Sequence, residues 1–296
     1  MLSKIDKGII YMLLASLSFA FMGGGVKMLS HLPSVEVTFF RNVFGVAIIV
    51  YILIKNPSKS KGGKPFLLFF RGFIGFLALL AYFYNMANIP LGVATTYNKT
   101  SPIFLAIFAW LIFKENLPKT ATIALIAGFI GIILIAKPEG FALSKYDLLG
   151  LFSGIGAAIA YTSIKELKNY YNTKEIALSF MLVGTIGPIL LMIISNYINF
   201  DKSLDFMLGE FIMPKGVDWL YIIMVGVLAT ISQLLMTKSY SITKAGIAGT
   251  ITYTQILFGT IVGTLLGDTF PDIYTITGML LITIAGILVA LPAKRG

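Results

Sequence analysis

The sequence predicts an all-α integral membrane protein whose ten transmembrane helices form two inverted five-helix repeats. Three observations predict this fold class. Hydrophobic residues make up 57% of the 296 residues and charged residues only 12%, whereas a soluble domain carries roughly a quarter charged residues. Ten apolar runs have about the 20 residues that an α-helix needs to cross a bilayer. Finally, residues 92–138 and residues 246–292 follow the same plan.

The apolar runs follow one another along the chain and are separated by polar connections. The first run follows Lys4 and Lys7 and could pass for a signal peptide, but it is longer than an apolar signal core and lacks a small-x-small cleavage site. We therefore count it as the first span. The predicted spans cover residues 8–30, 34–54, 66–87, 91–113, 119–137, 147–167, 175–197, 217–239, 246–266 and 272–291.

The distribution of lysine and arginine predicts how these spans are oriented. An even number of spans places both termini on one side of the membrane. If that side is the cytoplasm, the inner segments hold fifteen lysines and arginines and the outer segments hold four. This excess predicts a multi-pass protein of the cell (inner) membrane with both termini cytoplasmic. It also accounts for most of the net charge of +10, so we expect the lipid bilayer, and no nucleic acid, as a partner.

The chain divides into a first repeat at residues 1–140 and a second at residues 146–296, each with five spans. Both repeats contain a late acidic turn, near Glu115 and Asp268, and both end in an apolar segment followed by proline, Pro138 and Pro292. Because five is odd, the second repeat enters the membrane in the opposite orientation. A duplicated bundle of this kind is the usual architecture of a secondary transporter, whose substrate site lies between the halves near the midplane.

A ridge of small residues on the predicted ninth span consists of Gly259, Gly263 and Gly267. Such ridges let two helices approach closely in lipid, where no hydrophobic force drives their association. The ridge predicts either packing within one chain or a dimer seam. A monomer and a homodimer are therefore both open.

Four cations lie within the predicted spans, where each charge costs on the order of 2.5–3.5 kcal/mol. Lys27 lies near the outer end of its span and can extend to the interface. Lys99 lies nearest the midplane, about 12 Å from the outer end of the fourth span, and no intramembrane carboxylate is evident beside it. We therefore interpret Lys99 as the anchor for an anionic substrate group. Arg41 and Arg71 either extend the path of that anion or pair with helix-end carbonyls.

Two further titratable residues have simpler readings. Glu36 lies in the first turn of the second span, where a carboxylate complements the helix dipole. A role in proton coupling is the alternative. The lone His31 is expected to be a solvated residue of an outer loop, with no partner for metal binding.

Polar and small residues recur at helical spacing on several spans. On the third span they are Arg71, Gly75, Ala78, Tyr82 and Asn85. Aligning Gly92 with Gly246 places Lys99 opposite Tyr253, and we expect both positions at one central cavity. Such stripes also fit hydrogen bonds between helices. The predicted substrate-binding residues are Lys99, Asn98, Tyr82, Asn85, Arg41, Arg71, Gln233, Tyr253 and Gln255.

No motif in the sequence points to catalysis. His-Glu-x-x-His, Gly-x-Ser-x-Gly and a phosphate-binding loop are all missing, as is a cluster of acids that could hold a metal. The absence of cysteine excludes disulfides and thiol chemistry. We therefore predict a protein that is not an enzyme, with no catalytic residue, no metal and no cofactor.

In several stretches of both halves the chain resembles the EamA family of the drug/metabolite transporter superfamily. The resemblance covers both halves and is carried by Phe39-Phe40-Arg41, Arg71-Gly72, Tyr82-Phe83-Tyr84, Pro90-Leu91-Gly92-Val93-Ala94, Thr100-Ser101-Pro102 and the stretch from Trp110 to Glu115. It implies ten helices, cytoplasmic termini, a cavity lined mainly by the first four helices of each half, and movement of amino acids or other small metabolites. The run Tyr97-Asn98-Lys99 departs from the family, since many relatives are apolar or small there. A cationic drug is therefore a less favoured substrate.

These observations favour a secondary transporter of a small organic metabolite, anionic or carboxylate-bearing, that works by alternating access. A neutral or zwitterionic amino-acid exporter is the alternative, in which Lys99 holds only the carboxylate. A membrane channel or a structural protein is less favoured. The sequence leaves the identity of the small-molecule substrate, the direction of transport and the coupling ion open.

Overall fold

The computed structural model describes residues 4–57, 60–113, 119–136, 143–198, 201–242 and 251–290. Within these ranges the chain is built of helices and has no strand. Most connections are short, but a longer outer loop at residues 196–217, with a 3-10 turn at Lys202–Leu204, precedes the helix that begins at Asp218. The predicted acidic turn at residues 114–118, the start of the predicted ninth span at 246–250 and both chain ends lie outside the described residues.

Six of the described helices are long and apolar enough to cross a membrane: α1, α2, α3, α7, α8 and α9. The helices α6, α10 and α11 are apolar but have shorter apolar stretches. The helix bounds are α1 (Lys4–Met28), α2 (Ser34–Lys55), α3 (Pro65–Asn88), α4 (Leu91–Asn98), α5 (Ser101–Phe113), α6 (Lys119–Ala136), α7 (Lys145–Leu167), α8 (Thr173–Ser195), α9 (Asp218–Ile242), α10 (Thr254–Leu265) and α11 (Ile273–Ala290).

The fourth predicted span, residues 91–113, is two helices rather than one continuous helix. α4 ends at Asn98 and α5 begins at Ser101. Pro102 has no N–H to donate to the carbonyl of Asn98. The Thr100 hydroxyl donates to the neighbouring Tyr97 carbonyl at 2.6 Å. Irregular backbone at membrane depth is tolerated where it is buried in protein or lines a cavity. The turn at Lys99 and Thr100 is therefore expected to be buried in protein or to line a cavity.

Local capping determines where α7 and α8 begin. The hydroxyl of Ser144 accepts the N–H of Asp147, whose carboxylate accepts the N–H of Ser144 in return. Asn172 and Glu175 form the same reciprocal arrangement before α8. Such capping boxes satisfy N–H groups that a helix start leaves unpaired. Both helices consequently begin two residues before the sixth and seventh spans that the sequence predicts.

The helices of the first half pack chiefly against helices of the second half. α1 packs on α9, α2 on α8, α3 on α7, and α6 on α11. Two members of the predicted glycine ridge, Gly259 and Gly263, are part of this internal packing because they face α4. A Cβ atom at Gly259 would lie 3.1 Å from the Thr95 Oγ1, and one at Gly263 would lie 3.0 Å from the Leu91 Cβ. Gly267 lies beyond the end of α10 at a φ of 97° and has no such neighbour among the described residues.

Polar contacts between helices concentrate at the two ends of the bundle. Following the predicted orientation, we call the end where α1 ends and α2 begins the outer end, and the opposite one the inner end. At the outer end Lys145 pairs with Asp205. At the inner end Lys64 lies 2.6 Å from Glu166, and this hydrogen bond raises the pKa of the exposed Lys64 ammonium. The Lys64–Glu166 pair connects the first half to the second. The Lys145–Asp205 pair connects the start of the second half to its own outer loop.

Candidate functional site

A cavity of about 180 Å³ lies inside the bundle. Its walls come from α1, α2, α3, the end of α4 with the following turn, α7, α8, α9 and α10. Helices of both halves therefore contribute to one cavity. Its volume is below the roughly 300–1,000 Å³ of pockets for drug-sized ligands, so any ligand it holds in this conformation is small.

Seven of the nine residues that the sequence predicts for substrate binding line this cavity: Arg41, Arg71, Tyr82, Asn98, Lys99, Gln233 and Gln255. The neutral groups among them are only loosely bonded to one another. The Gln255 amide lies 3.4 Å from the Tyr82 hydroxyl, which in turn lies 3.4 Å from the Thr95 Oγ1. Good hydrogen bonds of this kind are shorter, at about 2.7–3.2 Å. Tyr82 and Gln255 therefore retain capacity for a ligand.

Lys99 reaches the cavity because the chain turns there. Its backbone N–H still bonds to the Thr95 carbonyl at 3.0 Å, but Lys99 is the residue directly after the end of α4. Gly154 of α7 faces this turn, and a Cβ atom at that position would lie 2.9 Å from the Tyr97 carbonyl oxygen. The missing side chain at Gly154 thus lets the turn pack directly on α7. Among the described residues, none forms a hydrogen bond or ion pair with the Lys99 ammonium.

A buried polar pair fixes α4 against the start of α7. The Tyr97 hydroxyl donates to Asp147 Oδ1 at 2.5 Å, and Tyr97 is fully buried. The other carboxylate oxygen of Asp147 accepts the hydroxyl of Ser144 at 2.6 Å. The helix cap of α7 and the anchor of α4 are therefore the same carboxylate. Because Lys99 lies two residues after Tyr97, this pair also holds the backbone from which the Lys99 side chain extends.

Two arginines share one aromatic ring at the cavity wall. The guanidinium carbon of Arg41 lies 5.4 Å from the centroid of the Phe180 ring, and that of Arg71 lies 5.0 Å from it. Both distances are within the range for cation–π attraction. Asn42 orients Arg41, since its Oδ1 accepts the Arg41 Nη1 at 2.7 Å while its amide donates to the Gly184 carbonyl at 3.1 Å.

The charge of the cavity is one-sided. Its described lining includes three cations, Arg41, Arg71 and Lys99, and no aspartate or glutamate. Ionised groups inside membrane proteins usually pair with each other or mark a substrate path. The arrangement is chemically suited to bind an anionic group.

Asn85 and Tyr253, which the sequence also predicts at the cavity, do not line it. The amide of Asn85 donates to the Tyr146 carbonyl at 2.8 Å, so this side chain connects α3 to α7. The Tyr253 ring packs directly against Gly286 of α11, in a separate apolar cluster. Their helical spacing matches that of the cavity residues, but they point to neighbouring helices. The alignment of Lys99 with Tyr253 thus does not bring both residues to one cavity.

Two aromatic residues of the cavity, Tyr161 and Phe180, were not predicted from the sequence. Tyr161 lies on α7 and Phe180 on α8, and both line the cavity. Phe180 belongs to a series of residues at helical spacing, Ala177, Phe180, Met181 and Gly184, that faces the interior. That spacing could have identified this face. Aromatic character alone could not, because the chain contains 23 phenylalanines.

The cavity is closed towards the outer end by an apolar cluster and an ion pair. The cluster includes Val26, Met86, Leu91, Ile222 and Val262. Beside it Lys27 pairs with Asp268, whose second carboxylate oxygen accepts the N–H of Leu91 at 2.8 Å. Lys27 also donates to the Ile89 carbonyl at 3.2 Å. The contacts connect α1, the start of α4 and the α10–α11 connection, and we call them the outer clamp.

Two expectations for outer-end residues are refined by their contacts. Glu36 is fully buried, and its Oε2 accepts the N–H of Ile212 at 3.0 Å. The carboxylate thus holds the outer loop on α2, in whose first turn Glu36 lies. His31 is exposed, as expected for a loop residue, but it has a partner, because its Nε2 lies 3.2 Å from Asp218 Oδ1. In the part of the chain that the structure describes, no group of three or more potential ligands could hold a metal ion.

A helical membrane bundle with a polar cavity between its halves has the architecture of a small-molecule transporter. The chain belongs to the EamA-like transporter family, which it matches over residues 6–137 and 144–291. This family is part of the drug/metabolite transporter superfamily. The protein is accordingly a multi-pass membrane protein of a transporter family.

Named relatives of the chain are also transporters. It is 32% identical over 291 residues to an uncharacterized transporter of Helicobacter pylori, covering 97% of this chain and 95% of the relative. It is 31% identical over 298 residues to the pseudopaline exporter CntI of Pseudomonas aeruginosa, covering 99% of both chains. It is 23% identical over 267 residues to an S-adenosylmethionine uptake transporter of Rickettsia prowazekii, covering 90% of this chain and 86% of the relative.

Proposed function

We propose that the protein is a secondary transporter that carries a small organic metabolite, anionic or carboxylate-bearing, across the cell's inner membrane by alternating access. The observation that carries this proposal is the Lys99 ammonium, which faces the cavity and has no hydrogen-bond acceptor or carboxylate among the described residues. A cation in that position is stabilised when an anionic group binds to it. Asn98, Gln233 and Gln255 supply neutral hydrogen-bonding groups that would orient the rest of the substrate.

The proposal includes ten spans in two inverted repeats, residues 1–140 and 146–296, with both termini cytoplasmic. The pattern of helix packing supports it. If α7, α8 and α9 are the counterparts of α1, α2 and α3, the contact of α1 with α9 corresponds to that of α3 with α7. The contacts of α2 with α9 and of α3 with α8 correspond in the same way, and α2 packs on its own counterpart α8. A twofold axis in the membrane plane would produce such reciprocal pairs.

Alternating access would then be a movement of the two halves around the cavity. The outer clamp holds the outer end closed in this structure, so the cavity would exchange substrate through the inner end. Opening of the clamp and closing of the inner end would give the opposite state. Because the relatives include an exporter and an uptake transporter, we propose no direction of transport.

Reconstituted protein in liposomes tests this function through counterflow, in which unlabelled substrate on one side drives labelled substrate from the other. We expect saturable, trans-stimulated flux of an anionic metabolite from a panel, and Lys99→Gln should raise its KM about 10- to 100-fold. A hydrogen bond to a charged group contributes roughly 1.5–3 kcal/mol, and each 1.4 kcal/mol is tenfold in affinity. Lys55→Gln, which removes an exposed cation outside the cavity, is the matched control.

Three results would contradict the proposal in different ways. Flux without saturation or trans-stimulation would indicate a channel. A zwitterionic amino acid carried by the wild type, whose transport Lys99→Gln only weakens, would favour the amino-acid exporter. Flux of only neutral or cationic compounds would show that Lys99 is a structural residue.

A further inference from the structure

We propose that the cavity has a second anion-binding position, formed by Arg41 and Arg71 beside Phe180, and that the substrate is therefore an organic dianion. One anionic group would bind at Lys99 and the other at the two guanidinium groups. This inference rests on the proposed function and specifies the substrate class of the same cavity. We call the second position the arginine pair.

The arginine pair is a built arrangement rather than two mobile surface charges. Arg41 is only 7% exposed, and its guanidinium is fixed by Asn42, which is itself tied to the Gly184 carbonyl. Phe180 lies next to both guanidinium groups at 5.4 and 5.0 Å. Two like charges beside one ring repel each other, so this geometry is stabilised when an anion binds between or beside them.

Unused hydrogen-bond donors support a ligand at the arginine pair. The Nε of Arg41 and both Nε and Nη1 of Arg71 are buried and have no acceptor among the described residues. Buried polar groups nearly always find a partner, and an unpaired charged donor is especially costly. The sequence left open that these arginines pair with helix-end carbonyls. Among the described residues, no carbonyl accepts a hydrogen bond from any of these three nitrogens.

Planar guanidinium groups suit carboxylates and phosphates, to which they can donate two parallel hydrogen bonds. The pair lies on α2 and α3, whereas Lys99 lies on the turn between α4 and α5, so different elements carry the two positions to one cavity. The cavity wall also includes apolar side chains, among them Phe19, Met22 and Leu79. An inorganic anion would leave this apolar surface uncovered. A short carbon chain with an anionic group at each end would use all three features.

A series of linear dicarboxylates of increasing length, each matched with the monocarboxylate of equal length, tests the inference. Binding to the detergent-purified full chain is measured by the rise of its melting temperature with ligand concentration. We expect one range of dicarboxylate lengths to bind at least about tenfold more tightly than the matched monocarboxylates. Arg71→Gln should remove that advantage while changing monocarboxylate affinity less than about twofold, because the single carboxylate binds at Lys99.

Further variants separate binding from stability. Arg71→Lys keeps the charge but loses the planar fork, so it should retain part of the preference for dicarboxylates even if Arg71→Gln folds poorly. Lys99→Gln should weaken both ligand types, and Lys55→Gln should weaken neither. The melting temperature without ligand reports the fold of each variant.

The outcomes separate this inference from the proposed function. If dicarboxylates and monocarboxylates bind equally, or Arg71→Gln and Arg71→Lys weaken both ligand types alike, the second position is wrong while an anion at Lys99 stands. If none of these anionic compounds binds to the wild type, both the dianion and the anionic substrate class are wrong. Loss of the dicarboxylate preference alone in Arg71→Gln supports the second position.

Discussion

Tyr97 positions Lys99 through a side chain that does not itself line the cavity. Its hydroxyl donates to Asp147 in a fully buried setting, so Tyr97→Phe leaves a carboxylate oxygen without this donor. Such a loss costs roughly 1–3 kcal/mol. We expect a lower melting temperature and a severalfold higher KM for an anionic substrate.

Tyr197→Phe is the control for this prediction, because Tyr197 is 85% exposed. Both variants remove one hydroxyl from a tyrosine. Equal melting temperatures and equal transport in the two variants would show that the Tyr97–Asp147 pair does not position Lys99.

Single residues differ in how well the sequence predicts their place. Lys99 could be singled out because an intramembrane charge is expensive and demands a reason. Asn85 and Tyr253 could not be separated from cavity residues, since helical spacing gives the face of a helix but not the neighbour that covers it. Phe180 could not be singled out because the energy of a phenylalanine in a membrane helix is similar at the cavity and in lipid.

The element that defines the site is the interrupted helix of α4 and α5. The turn at Lys99 and Thr100 packs on Gly154, where a Cβ atom would lie 2.9 Å from the Tyr97 carbonyl and closer still to the Thr100 hydroxyl. Gly154→Ala must therefore displace the turn or α7. We expect substrate affinity to fall about tenfold or more, measured by thermal shift with the anionic substrate.

Gly128→Ala on α6 is the matched control for this element. Its added Cβ atom would meet the end of the Ile103 side chain at 2.6 Å, which can move aside. The two variants make the same change in a helix. Similar losses of affinity in both would indicate a general effect on helix packing rather than a specific one on the turn.

Element by element, the sequence predicts the long helices better than the interruption. Apart from the fourth and ninth, the predicted spans begin within a few residues of a described helix, as α7 and α8 show. The break at Lys99 was not predicted, because residues 91–113 form one apolar run and hydropathy does not record hydrogen bonds. Pro102 and Thr100 hold the information, but a proline within a membrane helix is also compatible with a simple bend.

At the scale of the whole molecule, the outer clamp connects the two halves across the closed end of the cavity. It joins α1 and the start of α4 from the first half to the α10–α11 connection of the second. The partly buried Lys27–Asp268 ion pair stabilises the arrangement in which the outer end of the cavity is closed. Because α1, α4 and α10 also line the cavity or flank it, a change at the clamp alters the whole bundle rather than one loop.

Asp268→Asn should therefore increase the fraction of molecules that are open at the outer end. The chain has no cysteine, so Val262→Cys introduces one thiol into the outer apolar cluster, where Val262 is 7% exposed. A membrane-impermeant maleimide added from the outside should label this thiol slowly, and several times faster when Asp268→Asn is also present.

Asp205→Asn is the control, because Asp205 also pairs with an outer lysine, Lys145, but lies outside the clamp. Equal labelling rates with Asp268→Asn and Asp205→Asn would mean that the Lys27–Asp268 pair does not hold the outer end closed. A selective increase would link the ion pair to the movement that a transporter of two inverted halves requires.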